Sequence, residues 1–348
     1  MIKKNFVLIL FFFLTVNNIL SSQPNVLVFI VDGLQTDAAK TAAENGADNF
    51  KYFIENGVTV EEAYCSSPSP YLRLPDGSLP WGTSSPPNVA IHTGTHVFES
   101  RQMDDIFLST KRANIKSVFS GGADNYKEFN TADYCYYSSK SPDSVLVDFA
   151  LNHFKNDNVR LTRLHIQRLR NHWVGPEGKT DPNSDYQKYL LHVDKLLGKL
   201  IAAFKEADVW DSTYVIFSAD HGMGETKHSD HPASVASSWK VFMNFYGPRI
   251  KKGKTIPYAE APDMAVMINH FFKLPPLKGH TDTNVTIEPK GPTGTLLTNI
   301  FEGQPYKIDH PKFIKRYLES VNWKPSDEFG EYREAMINYI KELRKIDN

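Results

Sequence analysis

The stretch Asn25-Val26-Leu27-Val28-Phe29-Ile30-Val31 is followed at once by Asp32-Gly33. Apart from its first residue the run is wholly apolar and rich in β-branched side chains. A strand with one wet face alternates polar and apolar residues. One that never alternates must be covered on both faces, as in a parallel sheet between helices. Similar runs recur at Lys116–Phe119, Arg160–Ile166, Thr213–Ser218 and Lys240–Phe245. Helical spacing lies between them at Asp48–Glu55, Ser144–Phe154 and Tyr186–Ala207. The last segment repeats apolar residues at Tyr189, Leu190, Val193, Leu196, Leu197, Leu200 and Ile201, one stripe of a helix. Strands alternating with helices predict an α/β fold: a doubly wound, mostly parallel central sheet with helices on both faces.

Two irregular stretches interrupt this pattern, Ser66–Pro87 and Trp173–Ser184, both crowded with turn-forming residues. Long loops inside a compact domain usually serve function. Tyr71, Trp81 and Trp173 lie in or beside them and suit either stacking on a base or packing of a loop, with packing the better fit. Beyond Pro276 the pattern weakens, and a closing helix is expected over about Ser326–Ile346. The expected organisation is a leader at 1–22, one catalytic-type domain at 23–280, and a partly helical extension at 281–348 packed on the core.

The leader reads as a secretory signal. Lys3 and Lys4 precede the apolar run Phe6–Val16, and polar residues with small Ser21 and Ser22 follow. The apolar run is about half of the ~20 residues a membrane span needs. The mature protein is therefore expected outside the cytoplasm, secreted or in an endoplasmic reticulum lumen or periplasm depending on the host, with no membrane span after cleavage. An uncleaved anchor is the alternative. Among 348 residues, 39 Lys and Arg against 40 Asp and Glu give a net charge of −1, which provides no field for a nucleic-acid duplex. Cys65 and Cys135, the only cysteines, are able to pair in an oxidising compartment. Asn284-Val285-Thr286 is a glycosylation sequon.

Four places carry chemistry. Asp32 sits directly after the first buried strand, where open α/β sheets bind ligands, and its carboxylate suits either a cation or a helix cap. Asp220-His221-Gly222 follows the strand Thr213–Ser218, and His228-Ser229-Asp230-His231-Pro232 comes shortly after. Carboxylate and imidazole together are zinc-type donors. Thr83-Ser84-Ser85-Pro86-Pro87-Asn88 leads into a helix-like stretch ending in Thr93-Gly94. A hydroxyl at a helix N-terminus is either a cap or, beside a cation, a nucleophile. Finally, Arg168-Leu169-Arg170-Asn171-His172 follows the strand Arg160–Ile166, with guanidinium groups able to grip an oxyanion.

Taken together these segments resemble the alkaline phosphatase superfamily, in particular its type I phosphodiesterase/nucleotide pyrophosphatase branch. Asp32-Gly33 is similar to its opening strand end. Ser84 to Thr93-Gly94 is similar to its nucleophile segment, with Ser84 at the nucleophile by spacing and Thr83 or Ser85 one residue away. Ser218-Ala219-Asp220-His221-Gly222-Met223 is similar to its Ser-Asp-His-Gly-Met, and His231-Pro232 to its late ligand. The His-Pro element also resembles the ethanolamine phosphate transferases of GPI-anchor synthesis. The resemblance implies one ion at Asp32, Ser84, Asp220 and His221, and a second at an aspartate, His172 and His231. Here Arg168 stands where that aspartate is expected, and a guanidinium repels a cation.

Three outcomes stay open: one ion, with Arg168 or His172 on the substrate oxyanion; two ions, with Glu177 or Asp230 as the replacement ligand; or a degenerate chain. The resemblance implies a hydrolase of small phosphate esters using a divalent metal, zinc by its donor set, one or two ions per chain, and a covalent phosphoserine at Ser84. Sulfate-ester hydrolysis with a single ion is the rival, although Asn88 replaces an expected arginine. A non-catalytic binding protein on the same fold is the third reading.

Overall fold

A computed structural model describes residues 23–65, 85–95, 104–128, 131–231, 236–238, 240–278, 292 and 294–304. Its strands are β1 (Asn25–Val31), β2 (Val58–Tyr64), β3 (Lys116–Gly121), β4 (Tyr134–Tyr137), β5 (Val159–Ile166), β6 (Thr213–Ser218), β7 (Met243–Tyr246) and β8 (Lys254–Glu260). The helices are α1 (Thr36–Glu44), α2 (Asp48–Asn56), α3 (Ser85–Thr93), α4 (Ile106–Arg112), α5 (Asp143–Asn156), α6 (Asp185–Glu206) and α7 (Ala261–Phe271).

The strands form one eight-stranded sheet in the order β4-β3-β5-β1-β6-β7-β2-β8. All neighbours run parallel except β7, which is antiparallel to both β6 and β2. This is the α/β, mostly parallel sheet that the apolar runs predicted. Successive strand side chains point to opposite faces, yet every residue of β1 is buried. Both faces of the sheet are therefore covered at its centre. Helices α1, α2 and α6 pack on one another, α3, α4 and α7 form a second group, and α5 lies on β3 and β5. Phe217 of β6 meets Phe50 and Phe53 of α2 edge-on at 4.8 and 6.0 Å, closing the core on that side.

Helix α6 starts where Ser184 accepts a hydrogen bond from the Gln187 backbone at 3.1 Å, a side-chain cap for one orphan N–H. Its expected stripe is buried at Leu190, Val193, Leu196, Leu197, Leu200 and Ile201. The run expected at Lys240–Phe245 is a shorter strand, Met243–Tyr246, and it is the reversed one. Cys65 follows β2 and Cys135 lies in β4, at opposite ends of the sheet. Six strand spacings of roughly 4.8 Å separate them, several times the ~7 Å limit for a disulfide. The expected pairing is thereby excluded. The leader, Tyr71, Trp81, the sequon and the closing helix lie outside the described residues.

A candidate metal centre at three strand ends

Strands β5, β1 and β6 are adjacent and parallel, so their carboxyl ends open at one place. Asp32 is the first residue past β1, and its backbone N–H still donates to Ile166 O of β5 at 2.8 Å. His165 pairs with Ile30 in register, and Ser218, two residues before Asp220, pairs with the same Ile30. Register alone thus brings Asp32, His165 and Asp220 together. Their ligand atoms lie within 4.8 Å of one another, a group able to hold a metal ion. All three are fully buried, as is His221.

The hydrogen bonds around this group point to a cation. His221 Nδ1 lies 2.8 Å from Gly222 O. A carbonyl oxygen only accepts, so in the neutral ring Nδ1 carries the proton and Nε2 presents a lone pair. That Nε2 faces Asp32 Oδ1 at 3.7 Å and Asp220 Oδ2 at 3.6 Å. On the other side His165 Nε2 lies 3.7 Å from Asp32 Oδ2 and 3.6 Å from Asp220 Oδ2. These separations are too long for hydrogen bonds. Donors around a four-coordinate zinc, with bonds near 2.0–2.2 Å, stand about 3.3–3.6 Å apart. Both oxygens of Asp32 and Nε2 of His221 lack a hydrogen-bond partner among the described residues. Two buried carboxylates and a lone pair converging, with no donor to Asp32 among the described residues, are costly unless a cation lies between them.

Neighbouring side chains hold this geometry. Tyr126 Oη bonds His165 Nδ1 and lies 3.3 Å from Nε2, which also faces the carboxylates. Asn88 of α3 donates from Nδ2 to Asp220 Oδ2 at 3.0 Å. Its amide is oriented by Arg163 of β5, whose Nη2 donates to Asn88 Oδ1 at 2.6 Å. Arg163 is buried against the Phe119 ring, 4.5 Å from its centroid, and burial lowers its pKa to about 10. Burial likewise lowers His165 to about 3, opposed by Asp220, and lowers His231 to about 3, reinforced by His221. Both rings are therefore neutral, as metal ligands must be. The His231 ring sits over that of His221, with centroids 3.8 Å apart.

Two glycines let the corner close. Gly33 has φ +74°, and a Cβ there would meet Met223 Sδ at 2.6 Å. A Cβ on Gly222 would meet Lys240 O at 2.5 Å and run into Ser237 O. The Asp-Gly and Asp-His-Gly-Met segments, far apart in sequence, thus pack directly on each other.

Of the residues expected from sequence, Asp32, Asp220, His221 and His231 come together. Arg168 does not join them: its Nε and Nη2 donate to the carbonyl oxygens of Ser141 and Lys140 at 3.1 and 2.6 Å. His172 stacks on Tyr189 of α6 at 4.2 Å, and no hydrogen bond, ion pair or ring contact joins it to the cluster. Glu177 and Asp230 are exposed. The guanidinium charges that reach the site are those of Arg163, which acts on His165 and Tyr126, and of Arg170, which acts on His165, His231 and Tyr126. Trp173 packs edge-on against Tyr186 and donates to Thr226 O at 2.8 Å. Thr83 and Ser84 lie outside the described residues; Ser85 opens α3. His165, Arg163 and Tyr126 were not singled out from sequence, although Arg163 and His165, two apart on the strand face they share with Val159 and Leu161, are a readable anomaly.

The sequence profile of type I phosphodiesterase / nucleotide pyrophosphatase matches residues 110–255. The bis(5'-adenosyl)-triphosphatase enpp4 of Xenopus laevis is 20% identical over 222 residues, covering 58% of this chain and 43% of its own length. The chain thus spans under half of that relative. Among solved structures, murine ectonucleotide pyrophosphatase / phosphodiesterase 5 superposes with a TM-score of 0.52 at 14% identity, over 72% of this chain and 95% of its own. The phosphonate monoester hydrolase of Agrobacterium radiobacter reaches 0.59 at 13% identity, over 82% and 78%. The lipoteichoic acid synthase LtaP of Listeria monocytogenes reaches 0.52 at 12% identity, over 73% and 72%. The profile covers under half of the chain, and the three solved structures share its fold.

Proposed function

We propose that the protein is a metal-dependent hydrolase of small phosphate esters, with Ser84 as its nucleophile and zinc as its metal. The observation that carries this reading is the buried convergence of Asp32, Asp220 and the lone pairs of His165 and His221. The helix that delivers Asn88 to Asp220 begins at the residue after Ser84. A divalent ion bound by these residues would acidify a neighbouring hydroxyl and balance charge on the phosphoryl oxygens.

The chain's own groups do the rest. The Ser84 oxygen attacks phosphorus, its proton passes to solvent, and the alcohol of the ester leaves. Water then hydrolyses the phosphoserine and restores the hydroxyl. Arg170 stabilises the equatorial oxygens, where positioned positive charge contributes most in phosphoryl transfer. A structure of murine ectonucleotide pyrophosphatase / phosphodiesterase 5 is in complex with AMP, and by analogy a nucleotide ester is the first substrate class to try. The Lys3–Ser22 leader supports action outside the cytoplasm, and residues 23–280 are proposed as the catalytic unit.

The test is turnover of bis-p-nitrophenyl phosphate by zinc-loaded protein, before and after Ser84→Ala. A fall of about 10³-fold or more is expected. Unchanged turnover in the variant would remove Ser84 from the role. Hydrolysis of p-nitrophenyl sulfate alone would favour the sulfatase reading, and no hydrolysis of either ester would leave a binding protein.

A further inference from the structure

We infer that the centre is mononuclear, with His165 as a fourth protein ligand beside Asp32, Asp220 and His221. The inference rests on the metal reading above but concerns the ion's coordination, not the reaction. Its first support is geometric. His165 Nε2 lies 3.7 Å from Asp32 Oδ2 and 3.6 Å from Asp220 Oδ2, and His221 Nε2 lies 3.7 Å from Asp32 Oδ1 and 3.6 Å from the same Asp220 Oδ2, so both imidazoles face both carboxylates. Each imidazole has its other nitrogen engaged, His165 by Tyr126 and His221 by Gly222 O. Metal-ligating histidines are typically held in this way. Asp220 Oδ2 is shared by both rings, which suits one ion between them.

The second support is that, among the described residues, the donors expected for another ion do not assemble. The donors expected for it were an aspartate, His172 and His231. Arg168 stands in the first position and is bound to two carbonyl oxygens. His172 is stacked on Tyr189. Of the three, only His231 stays beside the centre, its ring 3.8 Å from that of His221. A cation there would have one of its three expected donors among the described residues, too few to hold it.

The experiment is zinc titration of metal-free full-length protein against a competing chelator, with bound ions counted by native mass spectrometry. One ion per chain is expected. His165→Ala should weaken zinc binding at least 100-fold, more than loss of a hydrogen-bonded outer partner costs, while His172→Ala should change it less than about 2-fold. Circular dichroism checks that His165→Ala folds. Should it not, Tyr126→Phe keeps the ring and removes only its orienting bond, with about a 10-fold loss expected. Cobalt loading supplies an independent readout: the visible absorption of a four-coordinate centre should be present in the wild type and altered in His165→Ala.

Two ions in the wild type, or a His172→Ala loss equal to that of His165→Ala, would overturn the inference. So would unchanged affinity in folded His165→Ala. One ion lost with His165 but no ester hydrolysis would remove the proposed function and leave this inference standing. Turnover with two ions would do the reverse.

Discussion

At the residue scale, the side chain with the most unusual position is Arg163, buried with no ion pair to a carboxylate among the described residues. It donates to Leu164 O at 3.1 Å and to Asn88 Oδ1 at 2.6 Å. Replacing it by Met has two opposed effects. Asn88 loses a charged hydrogen bond, a cost of about 1.5–3 kcal/mol. Removing a desolvated charge recovers a similar amount. Stability of Arg163→Met, read from its urea midpoint, is therefore expected within about 2 kcal/mol of wild type. Zinc affinity should nevertheless fall about 10-fold, because Asn88 no longer holds Asp220 in one orientation. Unchanged affinity would mean that Arg163 is structural only. Asp32, Asp220 and His221 were readable because each ends an apolar strand. His165 was not, because it lies one residue before the end of its strand, where its partners become visible only after β5 is placed next to β1.

At the scale of elements, α4 provides a titration that can be signed. Asp105 caps it, accepting from Leu108 N at 2.7 Å and from Thr131 Oγ1 at 2.8 Å. Burial outweighs these bonds and raises its pKa from 3.8 to about 6. Between those values the folded state binds more protons than the unfolded one, so this group's contribution to stability falls as pH rises from about 4 through 6. Asp105→Asn keeps a capping acceptor and cannot ionise. The variant should therefore gain on the wild type by up to about 3 kcal/mol between pH 4 and pH 7. Urea midpoints of both proteins at the two pH values check this, and a constant difference would show that Asp105 stays ionised throughout. The elements β1, β5, β6 and α6 were legible in sequence. Strand β2 was not, because Glu61 and Glu62 interrupt its apolar run, and Pro257 disguised β8. Proline is tolerated at sheet edges, and β8 is the edge strand.

At the scale of the whole molecule, the sheet assembles charge that the fold alone does not balance. Strand order puts β1 between β5 and β6, and that order, not local propensity, forces Asp32 and Asp220 into one buried corner. The protein without metal should therefore be limited by its own site. Zinc at about 100 times its Kd would stabilise the folded state by about 2.7 kcal/mol. For a domain of this size that corresponds to a rise in Tm of roughly 5–10 °C. Asp32→Asn separates this account from general stabilisation by zinc, because it removes one buried carboxylate charge and one ligand together. The chelated variant should melt above the chelated wild type, yet gain little from zinc, so the order of the two proteins reverses on loading. Thermal scans of both, with chelator and with zinc, decide the matter. If chelated Asp32→Asn melts lower than chelated wild type, the two carboxylates are neutralised within the chain, and the corner is not a cation site.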